Sequence, residues 1–157
     1  MASRPTISVV TPVHPARLKN GLFAECCQSI HQQTLLPDAH CVAIDVDGEG
    51  AAATRQKALM QVRTDWTAFC DSDDLFLPKH LERLLRYATD GGYDFVYSWF
   101  KVLQDFGEGR RRVLEDDPVF PMTHYLSPWD PANPIETTVT VFVRTELAQS
   151  VGFHELD

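Results

Sequence analysis

Trp66-Thr67-Ala68-Phe69-Cys70-Asp71-Ser72-Asp73-Asp74-Leu75-Phe76-Leu77-Pro78 is the stretch on which the fold turns. Its first five residues form a short apolar run, the pattern of a buried strand. That strand runs straight into three carboxylates within four positions. Pro78 then opens a helix at a favoured early position. Leu81, Leu84, Leu85 and Ala88 give this helix an apolar stripe, and Gly91-Gly92 stops it. A further strand, rich in aromatics, is predicted over Phe95 to Val102. Towards the N-terminus, Ala51 to Val62 is rich in helix formers. Cys41 to Ile44 reads as a short buried strand ending in an acidic, glycine-containing loop, Asp45 to Gly50. From Ala16 to Gln33, Leu18, Leu22, Cys26 and Ile30 recur every fourth residue, which predicts one helix. Ile7-Ser8-Val9-Val10, closed by Thr11-Pro12, is β-branched and predicts the first strand. The order β-α-β-α-β-α-β implies an α/β layered sandwich with a mainly parallel central sheet flanked by helices. Ligands of such sheets bind beyond the carboxyl ends of the strands. Three strands here end at Thr11, Asp45 and Asp71, so a site is expected there.

After Val102 the character changes. Gln104 to Asp117 is highly charged and reads as an exposed hairpin or loop. Pro118 to Pro134 holds five of the ten prolines and reads as irregular, partly ordered by Tyr125 and Trp129. Thr137 to Val143 predicts a strand and Glu146 to Val151 a short helix. With 157 residues the chain is expected to form a single domain, about 1–102 making one half and about 103–157 the other.

Fourteen Lys and Arg against 22 Asp and Glu leave a formal charge of −8, which argues against nonspecific nucleic-acid binding. It leaves room for a nucleotide whose phosphates are bridged to acids by a metal ion. No run approaches the roughly 18 apolar residues of a membrane span, and Met1-Ala2-Ser3-Arg4-Pro5 has no signal-peptide core. The expectation is a soluble cytoplasmic protein, free or peripheral to the membrane. Cys26, Cys27, Cys41 and Cys70 show no CxxC spacing and read as free, buried thiols in a reducing compartment.

Three constellations carry candidate chemistry. Asp71, Asp73 and Asp74 repel one another unless a cation joins them, and Mn²⁺ or Mg²⁺ suits one or two carboxylates plus phosphate oxygens. One of the acids serves equally well as a cap for the next helix, but not all three. Arg55, within Ala53-Thr54-Arg55, either pairs with those acids or clamps a phosphate. Asp45 and Asp47 either receive a donor from a ribose or base, or shape an Asp-Gly turn with Gly48. His14 reads as a solvated loop histidine. Motifs of serine hydrolases and of the common glycine-rich nucleotide loops are absent.

In this order the pieces resemble the family 2 glycosyltransferases of the GT-A fold. The resemblance rests on Ile7 to Pro12, Ser29-Ile30-His31-Gln32-Gln33-Thr34, and Ala53-Thr54-Arg55-Gln56-Lys57-Ala58-Leu59. It rests above all on Trp66 to Pro78, with Val143-Arg144-Thr145-Glu146-Leu147 and Gly152-Phe153 behind it. It implies a GT-A-like (Rossmann-like) sheet and a nucleotide-sugar donor, a UDP-sugar first among them. The implied donor contacts are Thr11, Pro12, Asp45, Asp47, Arg55, Asp71, Ser72 and Asp73. Asp71, Asp73 and Asp74 would hold Mn²⁺ or Mg²⁺ as a DXD-type motif. The acceptor would be a glycan or another hydroxyl compound. The second loop departs from the family pattern of paired acids followed by Gly-Ser, since Val46 separates Asp45 from Asp47. The family's general base usually sits in an acidic pair some way past the Gly-Phe turn. The sequence ends before that spacing, which leaves Glu155 and Asp157 as candidates. The expected activity is metal-dependent, inverting sugar transfer. A donor-binding module inactive on its own, and a nucleotidyltransferase, are the alternatives.

Overall fold

The computed structural model describes residues 3–101, 103–105, 111–113 and 138–153. Strand β1 (Ile7–Val13) is buried along its whole length, between β2 (Ala39–Ile44) and β3 (Trp66–Phe69). Both neighbours run parallel to it. The sheet order is β2-β1-β3-β7-β4, with β4 spanning Phe95–Tyr97 and β7 spanning Val141–Arg144. β7 is antiparallel to both β3 and β4, so four of the five strands point one way and β7 alone opposes them. This is the expected mainly parallel α/β sheet.

Side chains alternate between the faces with the period of two that a strand imposes. Ile7, Val9, Trp66, Ala68 and Phe142 pack on one face with Cys26 and Ile30 of α2 (Leu22–His31) and Leu81, Leu84 and Ala88 of α4 (His80–Gly91). Trp66 and Phe142 stack there with ring centroids 4.8 Å apart. Val10, Phe69 and Val143 pack on the other face with Ala58 and Leu59 of α3 (Gly50–Leu59), alongside Val62 and, from α5 (Thr145–Val151), Ala148. Helices therefore cover both faces and leave the strand ends free to carry chemistry.

Five boundaries differ from the sequence reading. β1 continues through Pro12 to Val13. Its pairing with β3 stops at Val10, so the missing proline N–H falls where no ladder bond is required. The single helix expected over 16–33 is two, α1 (Pro15–Lys19) and α2, broken at Asn20-Gly21. Gly21 takes φ 82°, and the Asn20 side chain accepts the Leu22 N–H. Leu18, in the expected stripe, is consequently exposed. β4 ends at Tyr97 rather than near Val102, and Thr138–Thr140 forms a 3-10 turn ahead of β7. Pro78 lies two residues ahead of α4 rather than within its first turn.

Beyond the sheet, β5 (Leu103–Asp105) and β6 (Arg111–Val113) form an antiparallel ribbon, in keeping with the hairpin reading for that charged region. Arg111 pairs with Glu25 of α2. Cys26, Cys27, Cys41 and Cys70 are free; Cys26 and Cys70 are buried, Cys27 and Cys41 partly so. Tyr125, Trp129 and the proline-rich segment around them lie outside the described residues, as do Glu155 and Asp157.

Candidate functional site

Beyond the carboxyl ends of β1, β2 and β3 lies a cleft of about 210 Å³. The end of β1 gives it Pro12, Val13 and His14, and α1 gives it Arg17. Asp45 follows β2, while Thr54 and Arg55 come from α3. Asp71, Ser72 and Asp73 follow β3. The switch from apolar to polar residues at each strand end is what opens the cleft, since those side chains have left the packed core.

The acidic loop is held firmly. The Cys70 N–H donates to the Val10 carbonyl at 3.0 Å, which extends the β1–β3 ladder to the last residue before Asp71. The Asp74 N–H donates to the Asp71 carbonyl at 2.9 Å and closes a tight turn with Ser72 and Asp73 at its centre. Among the described residues Asp71 has two partners: Arg55 Nη2 donates to Oδ1 at 2.7 Å, and Thr138 Oγ1 lies 3.4 Å from Oδ2. Arg55 is nearly buried, at 9% exposure, with its guanidinium 5.1 Å from the centroid of the Phe153 ring. Phe153 in turn meets Phe69 edge to face. Gly152 makes this approach possible, because its φ of 68° turns the chain so that the Phe153 N–H donates to Gln56 Oε1 at 2.9 Å. Arg55 Nε is buried without a hydrogen-bond partner among the described residues.

Arg17 forms an ion pair with Asp73 at 2.7 Å across the mouth of the cleft. Asp45 accepts the N–H groups of Glu49 at 2.8 Å and Gly50 at 3.0 Å, and so closes the loop at the head of α3. Desolvation, the largest single influence, pushes its carboxyl up, but these N–H groups, with that of Gly48 and the nearby His14, together outweigh it and hold the acid below the ordinary range. Asp74 behaves oppositely. Burial, then the charges of Asp71 and Asp73, push its carboxyl up to about 6 against the opposing pull of Arg55.

Six of the residues singled out from the sequence thus share one cleft: Pro12, Asp45, Arg55, Asp71, Ser72 and Asp73. Three do not line it. Thr11 is buried and shares a hydrogen bond of 2.8 Å with His40 Nε2. Asp47 is exposed outside the cleft, and Asp74 is part-buried behind the turn. Among the described residues no three His, Cys, Asp or Glu side chains form a metal cage. Asp71 and Asp73 both line the cleft wall, and two carboxylates are the number that Mg²⁺ uses when its remaining ligands come from phosphate and water.

Sequence reading missed Arg17, Thr138 and the role of Phe153. Arg17 was within reach of inference, since it stands a few residues past the first strand's carboxyl end, on the short helix α1 that borders the cleft. His14, expected to be solvated, is exposed, yet it also lines the cleft and caps α1 by accepting the Ala16 N–H at Nδ1. Thr138 carries no local signal, because it is 67 residues from Asp71 in the chain.

A cleft beyond the carboxyl ends of parallel strands is where α/β sheets of this kind bind their ligands. The model of the glycosyl transferase family 2 matches residues 23–152, and this chain belongs to that family. It is 34% identical over 59 residues to the uncharacterized glycosyltransferase MJ1057 of Methanocaldococcus jannaschii, which covers 37% of this chain and 20% of the relative. The fold is similar to that of S. aureus TarS, with a TM-score of 0.62 and 17% identity over 92% of this chain and 29% of TarS. Residues 1–349 of TarS, solved in complex with UDP-GlcNAc, match with a TM-score of 0.62 and 18% identity over 93% of this chain and 47% of that one. These likenesses mark the sheet as GT-A-like. The chain spans about a fifth of the curated relative's length and under half of these TarS chains. Among the described residues no helix is long and apolar enough to cross a membrane.

Proposed function

We propose that this chain carries the donor site of a glycosyltransferase that takes a nucleotide-sugar, with a UDP-sugar as the donor, and transfers the sugar to an acceptor hydroxyl with inversion. The observation that carries the reading is the convergence of Asp45, Arg55, Asp71, Ser72 and Asp73 on one cleft at the strand ends of a family 2 chain. TarS, solved with UDP and with UDP-GlcNAc, supports a uridine nucleotide.

Asp45 lies at the end of β2, where its carboxylate is fixed by two backbone N–H groups and keeps lone pairs for a ribose or base donor. Asp71 and Asp73 would hold Mn²⁺ or Mg²⁺ against the diphosphate. Bound there, the ion supplies Lewis-acid stabilisation of the charge that grows on the leaving diphosphate. Arg55 keeps Asp71 aimed at the cleft through the 2.7 Å bond. The acceptor oxygen attacks the anomeric carbon, the bond from that carbon to the diphosphate oxygen breaks, and a carboxylate takes the hydroxyl proton. Residues from about 103 onward would form the acceptor side, with Glu155 and Asp157 as candidates for that base.

Calorimetric titration of UDP tests the reading. Affinity should be much higher with Mn²⁺ or Mg²⁺ than with EDTA, and Asp73→Ala should remove most of the difference. Equal affinity with and without metal would overturn metal dependence, and no binding under either condition would overturn the donor site itself.

A further inference from the structure

Two arginines face the carboxylates of the cleft, and they are held in opposite ways. The Arg55 side chain is only 10% exposed, and its bond to Asp71 is backed by the Phe153 ring. Arg17 and Asp73 meet at the same 2.7 Å, but their side chains are 38% and 42% exposed. Ion pairs this open to water contribute little net stability, because hydration replaces the partner at small cost. One pair is a fixture, therefore, and the other is readily exchanged.

Arg17 is also anchored where exchange is useful. The His14 carbonyl accepts the Arg17 N–H at 2.9 Å, and His14 Nδ1 accepts that of Ala16, so the backbone of α1 is pinned to the cleft wall. Only the flexible side chain of Arg17 has to move. Asp73 is the acid that the proposed function assigns to the metal. A divalent cation and a guanidinium on the same carboxylate repel each other; Arg55 is held on Asp71 Oδ1 by burial, so the more exposed Arg17 is the one that metal binding displaces, from Asp73. The same event brings in a diphosphate, whose oxygens match a guanidinium fork better than a single carboxylate contact does.

We infer that Arg17 is a mobile counter-ion of the donor site: it neutralises Asp73 before the donor binds, then yields Asp73 to the metal and takes a diphosphate oxygen instead. The inference rests on the reading of the cleft as a metal–nucleotide site. It makes Arg17 a competitor of the metal and a ligand of the nucleotide at once, which a surface ion pair serving only stability would not be.

The test is calorimetry on the full chain with two probes, Mn²⁺ alone and UDP at saturating Mn²⁺, applied to wild type, Arg17→Ala and Arg17→Lys. Arg17→Ala should bind Mn²⁺ several-fold more tightly, because its competitor is gone. It should bind UDP about ten- to a hundred-fold more weakly, the loss expected for a charge-assisted contact. Arg17→Lys, which keeps the charge and loses the fork, should fall between on both probes. Melting curves should coincide for all three proteins. Both affinities unchanged, or both moving in the same direction, would overturn the role of Arg17 while leaving the donor site intact. Failure of the wild type to bind UDP would overturn the donor site, and this inference with it.

Discussion

Replacing Arg55 with alanine is the most informative single change in the cleft. The substitution removes the bond to Asp71 and the guanidinium resting on Phe153. Breaking a fully buried ion pair costs about 3–5 kcal/mol, because the surviving charge is stranded. Asp71 is not fully buried: its side chain is 29% exposed and Thr138 remains within reach, so water recovers part of that loss. The lost ring contact adds about 0.5–1 kcal/mol. Deleting Nε, which has no partner among the described residues, returns about 1 kcal/mol. The net is about 2 kcal/mol, and at about 2–4 °C per kcal/mol for a chain of this size the midpoint should drop about 4–8 °C. Thermal melts followed by circular dichroism at pH 7 measure this. Arg55→Lys should recover part of it, since the charge stays but the planar fork is lost. A midpoint within 1 °C of wild type for Arg55→Ala would refute the structural pairing and leave Arg55 as a ligand-only residue.

Three further outcomes follow from the same geometry. The Asp74 carboxyl titrates near 6 in the folded chain, above its unfolded value, so it favours folding at low pH and loses that contribution as pH rises through 6. Asp74→Asn should therefore melt above wild type at pH 8, with the gap closing below about pH 4 in a melting series across pH. His80 is shifted the other way: burial alone lowers its pKa to about 4, its ring stacks on Phe76, and Nε2 has no partner among the described residues. Its stability contribution is complete above the unfolded value and is lost as pH falls towards 4, so His80→Phe should flatten the acid limb of the stability curve; an unchanged limb would show that the ring is hydrated. If Glu155 or Asp157 is the base, changing both to amides should lower transfer about 10²–10⁴-fold with UDP affinity unchanged, and equal turnover would remove both from that role.

Much of the cleft was legible because its contributors are local signals. Apolar runs that end in Thr11-Pro12, Asp45 and Asp71 mark strand ends, and parallel strands bring their ends together. The acidic cluster was legible as a group, but not its division of labour. Which acid meets an arginine and which retreats behind a turn depends on the Asp71–Asp74 turn and on Arg17 and Arg55, and spacing does not encode those contacts. Arg55 left two roles open in the sequence, and only burial beside Phe153 decides that it pairs. The break at Asn20-Gly21 escaped the periodicity because Leu18 falls in register with Leu22 by coincidence, while its side chain packs on nothing in the core.

The position of β7 has a consequence for how such a chain can diversify. β4 joins the sheet only through β7, and β7 pairs with β3 only after the chain has travelled from Tyr97 to Val141. Loop-closure entropy rises with the logarithm of the length enclosed, so doubling that excursion would cost only about 0.6 kcal/mol. Lengthening that excursion is thus cheap for the sheet as long as Thr138 to Thr140 keep their contacts with Asp71 and the core, whereas one residue added inside Cys70 to Asp74 would misplace the acids of the cleft. The length of the excursion can therefore vary between members of such a family at little cost, while the strand ends that hold the acids stay as they are.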